Sequence, residues 1–245
     1  MTERKLRVDV VIPVYNEEQA LPGSIAQLDA FLREHCRHDW RIVIADNASI
    51  DRTPEVGKAL EAAYPSVHYE RLEKKGRGLA LRTAWLGSDA DILSYMDVDL
   101  STNLSAYVPM IESIATGGYE VAIGSRLKHG AQVTRQWKRE LISRVYNLMI
   151  KVIFPLRRFS DAQCGFKAIS GRAARRLIPI VENNHWFFDS ELLLRAEQHG
   201  YRIFEVPVEW VEDLDTRVKI ASTAWEDIKG LLRVRFTPKE GRSRA

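Results

Sequence analysis

Residues 92–102 read Ile-Leu-Ser-Tyr-Met-Asp-Val-Asp-Leu-Ser-Thr, a short, largely apolar run that ends in two carboxylates, Asp97 and Asp99. The apolar part predicts a buried strand. On an extended chain, residues i and i+2 face the same side. Both carboxylates can therefore meet one ion at the carboxyl edge of a sheet, where open α/β sheets bind their ligands. Two hard oxygen donors suit Mg2+ or Mn2+, and such ions commonly hold a substrate diphosphate as well. The same residues also read as a strand end at Asp97 followed by a cap, from Asp99 or Ser101, for a helix starting near Leu104.

Working outward, the pattern repeats. Val8 to Val14 is an apolar strand interrupted by Asp9, followed by a helical pattern from about Ala20 to Glu34. Arg41 to Ala45 and Val67 to Leu72 are further strands, with a helix over Thr53 to Tyr64 between them and another ending near Gly87. Downstream come a helix from about Leu104 to Thr116 and a strand over Glu120 to Gly124. Strands alternating with helices of this length predict βαβ units on a mostly parallel sheet.

Three of the strand ends carry polar loops. Pro13-Val14-Tyr15-Asn16-Glu17-Glu18 and the run holding Asp46, Asn47 and Asp51 offer acceptors suited to a ribose or a base. Lys75, Gly76 and Gly78 precede a helix, where bare backbone N–H groups and the dipole favour phosphate. Any one of these loops alone reads as a turn or a cap. Together with Asp97 and Asp99 they favour a nucleotide diphosphate with its metal. No G-x-G-x-x-G follows the first strand and no G-x-x-x-x-G-K-[ST] occurs, which argues against a dinucleotide cofactor and a P-loop.

The chain has 245 residues, 45% hydrophobic and 28% charged, enough for one large α/β domain. A net charge of +3 is too small to imply a nucleic-acid partner. Cys36 and Cys164 make no disulfide framework and fit a reducing cytoplasm. The start has no apolar core of signal-peptide length before Asp9, and no 18 uncharged apolar residues run together.

Between Arg135 and Arg158 seven cations (Arg135, Lys138, Arg139, Arg144, Lys151, Arg157 and Arg158) face one acid, Glu140. Among them Leu141, Val145, Leu148, Met149 and Val152 form an apolar stripe at helical spacing, widened by Tyr146, Ile150, Ile153 and Phe154. Such a helix either packs on the sheet or lies in a membrane interface with its cations at the headgroups. Further on, Trp186 to Glu191 opens a helix to Gly200, with Asp189 and Glu191 in its first turn. Two short strands split by Pro207, a polar loop ending in Arg217 and Lys219, and a helix from Thr223 to about Val234 follow.

Val-Ile-Pro-Val-Tyr-Asn-Glu-Glu at 11–18, Ala-Asp-Asn-Ala-Ser-Ile-Asp-Arg-Thr at 45–53, Lys-Lys-Gly-Arg-Gly-Leu-Ala-Leu-Arg at 74–82 and Met-Asp-Val-Asp at 96–99 resemble family 2 glycosyltransferases of the GT-A fold. Ile-Gly-Ser-Arg at 123–126 and Ser-Asp-Ala-Gln-Cys-Gly-Phe-Lys at 160–167 resemble the polyprenyl-phosphate sugar synthases, the dolichyl-phosphate glucose and mannose synthases. The resemblance implies one GT-A domain over 1–234, a Rossmann-like, mostly parallel sheet flanked by helices, with a nucleotide-sugar half at about 8–125. The acceptor half, about 126–234, would carry an amphipathic membrane-interface helix at 135–156, and 235–245 would be a basic, disordered tail.

It further implies inverting transfer of a hexose from a nucleotide sugar to a polyprenyl phosphate at the cytoplasmic membrane face. The Gln163–Lys167 stretch leans toward UDP-glucose; GDP-mannose is the alternative donor, and a non-catalytic nucleotide-binding membrane scaffold the alternative class. Donor contacts would come from Pro13, Tyr15, Asn16, Glu17, Asp46, Asn47, Lys75, Gly76, Asp97, Val98 and Asp189, with His185 and Trp186 near the sugar. Asp97, Asp99 and Gln163 would hold Mg2+ or Mn2+. Arg126, Arg139, Ser143 and Gln163 would meet the acceptor phosphate, with Arg217 or Lys219 folded over the phosphates. Asp161 is the candidate catalytic carboxylate, beside Arg126 and Asp99, although a phosphate nucleophile arrives ionised and needs little proton removal. Cys164 reads as a small buried residue. Members of this branch often carry transmembrane helices, and their lack here predicts a peripheral enzyme served by a separate flippase-type partner.

Overall fold

The computed structural model describes residues 4–134, 137–211 and 220–237, the side chains of 137–139 and 220–224 excepted. The chain runs β1 (Arg7–Val14), α1 (Leu21–His35), β2 (Asp39–Asp46), α2 (Thr53–Ala63), β3 (Val67–Arg71), α3 (Arg77–Leu86) and β4 (Ile92–Met96). Then follow α4 (Tyr107–Ala115), β5 (Val121–Ser125), β6 (Gln132–Thr134), α5 (Trp137–Ile153), β7 (Phe166–Ser170) and α6 (Gly171–Leu177). The last elements are α7 (Phe188–Gln198), β8 (Ile203–Pro207), β9 (Glu209–Val211) and α8 (Ile220–Phe236).

Seven strands form one sheet in the order β3-β2-β1-β4-β7-β5-β8, and β6 pairs with β9 in a small separate ribbon. β1 is parallel to β2 and β4, β2 to β3, and β5 to β8. This is the α/β, mostly parallel architecture the alternation predicts. β7 is the exception, antiparallel to both β4 and β5, with Met96 opposite Phe166. Because β7 runs backwards, the residues that lead into it lie at the carboxyl edge of its neighbours. That inversion delivers the loop Ser160–Gly165 to the site.

Period-two alternation sends Val10 and Ile12 to one face of the sheet and Val11 to the other. The first face packs on Leu21, Ile25, Leu28 and Leu32, which recur at helical spacing along α1. The second packs on α3, α6, α7 and the inner side of α5. Asp9, the one charge inside β1, is buried, and Arg41 and the Ser88 hydroxyl donate to it at 2.6–2.8 Å. A buried carboxylate so partnered does not break the strand.

Four elements depart from expectation. The helix expected from Leu104 begins as a 3-10 turn, Leu104–Ala106, before α4. β6 and α6 are new; α6 is capped by Ser170, whose Oγ accepts the Ala173 N–H at 3.1 Å. The apolar stripe of α5 is split, not single. Tyr146 and Ile150 are buried and Met149, Ile153 and Phe154 pack against the core, so these five do not face a membrane. Leu141, Val145, Leu148 and Val152 point outward, 55–73% exposed. Among the described residues no helix is long and apolar enough to cross a membrane.

Candidate active site

β4 ends where Asp97 leaves the sheet. Its N–H donates to Gly165 O at 3.2 Å and its side chain is 44% exposed. The turn that follows is tight: Leu100 has φ 48° and donates back to Asp97 O. Val98 is buried, its carbonyl accepting Ser24 Oγ at 2.5 Å. Asp99 is exposed and its Oδ1 accepts the Ser101 N–H at 2.9 Å, a turn inside the loop. The helical turn at Leu104 is capped by neither Asp99 nor Ser101, its N-cap being Asn103 with no side-chain bond, and the chain turns at Val98–Asp99 in place of the extended course expected.

Behind Asp97 sits a buried charge cluster. Arg77 donates to Asp97 Oδ1 at 2.6 Å and to Asp189 Oδ2 at 2.7 Å, and its guanidinium lies 5.0 Å from the Tyr95 ring centre and 5.2 Å from that of Trp186. Asp189 also meets Lys167 Nζ at 3.2 Å and accepts the Tyr95 hydroxyl. Burial alone would raise the Asp189 carboxyl; Lys167 and Arg77 outweigh it and hold it below the usual range. Two cations thus balance two carboxylates.

Neither Arg77 nor Lys167 was singled out from the sequence. Both left a signal there: Arg77 opens a helix, where a cation opposes the dipole, and Lys167 sits in an apolar strand, where lysine is buried only when paired.

The loop before β7 holds the other side. Asp161 is fully buried, and Arg126 donates to it through Nε at 2.8 Å, Nη2 at 3.0 Å and its backbone N at 3.1 Å. Burial favours the neutral acid, but the arginine's charge and hydrogen bonds prevail and the carboxyl is lowered to about 2. A carboxylate so committed is a poor base; it positions Arg126. Gln163, exposed, donates its N–H to Asp161 Oδ1 at 3.1 Å. Cys164 is buried and its thiol is pushed up to about 12 by burial, as an inert packing residue. Gly165 closes the loop: a Cβ there would lie 1.8 Å from Asp97 Oδ2. One short loop therefore fixes Arg126 at one end and cradles Asp97 at the other.

The expected donor loops are stitched together. Asn16, at φ 55°, accepts the Ile50 N–H through Oδ1 at 2.9 Å and donates its own N–H to Ser49 Oγ; the Glu17 N–H donates to Thr53 Oγ1. Pro13 pairs in register with Ala45. Asp46 is buried, its oxygens taken by the Ser49 N–H at 2.9 Å and the Tyr69 hydroxyl at 2.6 Å. Asn47 Oδ1 accepts the Gly76 N–H at 2.5 Å. Gly76 therefore does not offer the bare N–H expected of it; a Cβ on it would lie 2.7 Å from Asn184 O, so close packing is what requires glycine. In the same way Asp46 and Asn47 shape the cleft through their internal bonds. Lys75 is exposed, its Nζ 3.4 Å from the Tyr15 ring centre.

On the acceptor side Ser143 is buried and its Oγ has no hydrogen-bond partner among the described residues. The side chain of Arg139, and Arg217 and Lys219, lie outside the described residues. His185 and Trp186 are exposed beside the Arg77 cluster. Among the described residues no three His, Cys, Asp or Glu side chains form a ready cation cage. Asp97, 44% exposed and packed where Gly165 has no side chain, and the exposed Asp99 are hard oxygen donors of the kind a divalent ion takes, with substrate oxygens supplying the rest of its shell.

In sequence and in fold the chain is similar to known proteins. The family described as Glycosyl transferase family 2 matches residues 9–176. Glycosyltransferase AglD of Haloferax volcanii is 34% identical over 235 residues, which cover 94% of this chain and 36% of that protein. Dolichyl-phosphate beta-glucosyltransferase ALG5C of Trichomonas vaginalis is 29% identical over 222 residues, 86% of this chain and 66% of that one. The chain thus spans about a third of the first relative and just under two thirds of the second. Among solved structures, glucosyl-3-phosphoglycerate synthase from Mycobacterium tuberculosis, in complex with Mn2+, UDP-glucose and phosphoglyceric acid, superposes with a TM-score of 0.74 at 17% identity. The superposition covers 96% of this chain and 82% of that one.

Proposed function

The chain belongs to glycosyl transferase family 2, and from that premise we propose that it transfers glucose, with inversion, from UDP-glucose to a polyprenyl phosphate such as dolichyl phosphate. The observation that carries this is the loop Asp161–Gly165, which ties a fixed arginine to an open metal-type carboxylate. Arg126, held in one orientation by Asp161, presents a planar fork suited to the acceptor phosphate. Asp97 and Asp99, with Gln163 on the loop whose Gly165 packs against Asp97, are the residues that would hold Mn2+ or Mg2+; when bound, such an ion neutralises charge on a departing diphosphate. Lys75 and Tyr15 border the donor cleft, and Asp189, fixed by Lys167 and Arg77, would accept a hydroxyl of the sugar. The acceptor oxygen is ionised at neutral pH, so positioning and electrostatics supply most of the acceleration.

The outward face of α5 supports peripheral attachment at the cytoplasmic membrane surface, with Leu141, Val145, Leu148 and Val152 meeting lipid beside Arg144 and Lys151. A separate membrane protein would then flip the product. The test is transfer of radiolabelled sugar to polyprenyl phosphate by the purified chain with Mn2+. Labelled lipid from UDP-glucose supports the proposal. Label from GDP-mannose alone would replace glucose by mannose, and label from neither, despite a UDP- and Mn2+-dependent rise in thermal midpoint, would favour a non-catalytic scaffold.

A further inference from the structure

Asp161 holds the Arg126 guanidinium by one edge, accepting Nε at 2.8 Å and Nη2 at 3.0 Å. Two parallel hydrogen bonds define a line, and a planar group can still rock about that line. Trp210 lies against a face of the guanidinium, its ring centre 5.4 Å from the central carbon. That distance is within the range of a cation–π contact, for which indole is the best of the aromatic partners. The Arg126 side chain is 10% exposed, so little water competes for the contact. With its edge on Asp161 and its face on Trp210, the group cannot rock. Nη1, which makes no hydrogen bond among the described residues, is left to donate in a fixed direction.

Trp210 is itself held by backbone pairing on both sides. In β9 it stands opposite Val133 of β6, and on its other side it bridges Thr102. The Val211 N–H donates to Ser101 O and the Asn103 N–H to Glu209 O, both at 3.0 Å. Ser101 to Asn103 end the loop that begins at Asp97 and carries Asp99. Half-buried Trp210 and Leu100 of that loop pack on the same apolar cluster. The ring that stops Arg126 rocking is therefore carried by the strand to which the Asp97–Asn103 loop is bonded. We propose that Trp210 is a positioning residue: its ring sets the tilt of Arg126, and its strand ties that tilt to the Asp97–Asn103 loop. This deepens the proposed transfer reaction and rests on it.

The test is steady-state transfer from UDP-glucose to polyprenyl phosphate with Mn2+, comparing the unaltered full chain with Trp210→Leu and Trp210→Phe. Leucine keeps apolar bulk without a ring; phenylalanine keeps a ring face. In Trp210→Leu the KM for polyprenyl phosphate should rise about tenfold, the scale of a largely desolvated cation–π contact. The KM for UDP-glucose and the midpoint shift with UDP and Mn2+ should stay unchanged. Trp210→Phe should recover most of the acceptor KM. A purely packing role would lower the thermal midpoint without separating the two KM values. An unchanged acceptor KM in Trp210→Leu, equal rises in both KM values, or a Trp210→Phe no better than Trp210→Leu overturns the proposal. If the unaltered chain transfers no sugar, the reaction is what fails, and the contact is judged by a cycle of urea midpoints. The cycle sets Trp210→Leu against the pair Arg126→Gln with Asp161→Asn, which leaves no buried charge. A smaller cost of Trp210→Leu in that paired background upholds the ring on the guanidinium, and an equal cost overturns it.

Discussion

Arg77 opens α3 against the helix dipole, and its two carboxylates, Asp97 and Asp189, are what make that placement tolerable. A guanidinium 2.6 Å from Asp97 Oδ1 competes with any other cation for the same oxygen. Arg77→Gln should therefore tighten Mn2+ binding to the nucleotide-free protein by about tenfold or more, on an effective dielectric of about 20. Asp189 keeps Lys167 and Tyr95, so the fold should hold; titration calorimetry with Mn2+ checks this, and unchanged affinity would deny the competition. Gly165→Ala acts on the same carboxylate from the other side. Its Cβ cannot share space with Asp97 Oδ2, and a displacement of about 1 Å commonly costs about a hundredfold in rate, so kcat/KM for the donor should fall by about that factor. Asp161→Ala strands a buried arginine and should cost about 3–5 kcal/mol in urea unfolding. Because the Asp161 carboxyl sits at about 2 when folded, below its unfolded value near 4, its contribution is complete at neutral pH and is lost as pH falls through that window. Asp161→Asn should flatten that part of the acid unfolding curve.

At the scale of elements, the junction of α5, α7 and α8 holds a second titrating group. Asp227 on α8 is buried near Tyr146 of α5, whose hydroxyl lies 2.7 Å from Ser190 Oγ on α7. Burial, then the neighbouring Glu226 charge, raise its carboxyl to about 7, with the Tyr146 hydrogen bond opposing them. The folded value lies above the unfolded one, so the protonated acid stabilises the junction below about pH 4 and that contribution is lost as pH rises through about 7. Asp227→Asn should remove the decline in stability between those limits, read as urea midpoints across the range; an unchanged profile would place the titration elsewhere. The same helices show why periodicity was a partial guide. A stripe at i, i+4, i+7 and i+11 marks apolar positions on α5, but helical spacing does not say which meet protein and which meet the outside. That division depends on α7 and α8, which pack against α5 from far along the chain.

For the molecule as a whole, the βαβ half was legible because its strands are continuous apolar runs and its crossover helices show a 3.6-residue period. The direction of β7 was not, since five residues reading Phe-Lys-Ala-Ile-Ser carry no sign of which way they pair. Asp97 and Arg126 could be named from local sequence; Arg77 and Lys167 depend on contacts with Asp189, more than a hundred and more than twenty positions distant respectively. Charge placement is the other whole-molecule property, and it sets the last prediction. Thirty-six cations against 33 acids leave a net +3, too little to drive strong nonspecific adsorption, so vesicle binding should depend on where α5 puts its charge. Cations at an anionic surface contribute about 1 kcal/mol each and are screened beyond a Debye length of about 8 Å at physiological salt. Buried apolar area is not screened. Binding of the full chain to anionic vesicles should therefore fall with salt to a plateau above zero. Leu148→Gln with Val152→Gln should remove the plateau while leaving the salt-sensitive part, because both side chains are exposed and their loss leaves the core intact. A plateau that survives those substitutions would assign the apolar contact to another face, such as the exposed Trp225, Leu232 and Phe236 of α8.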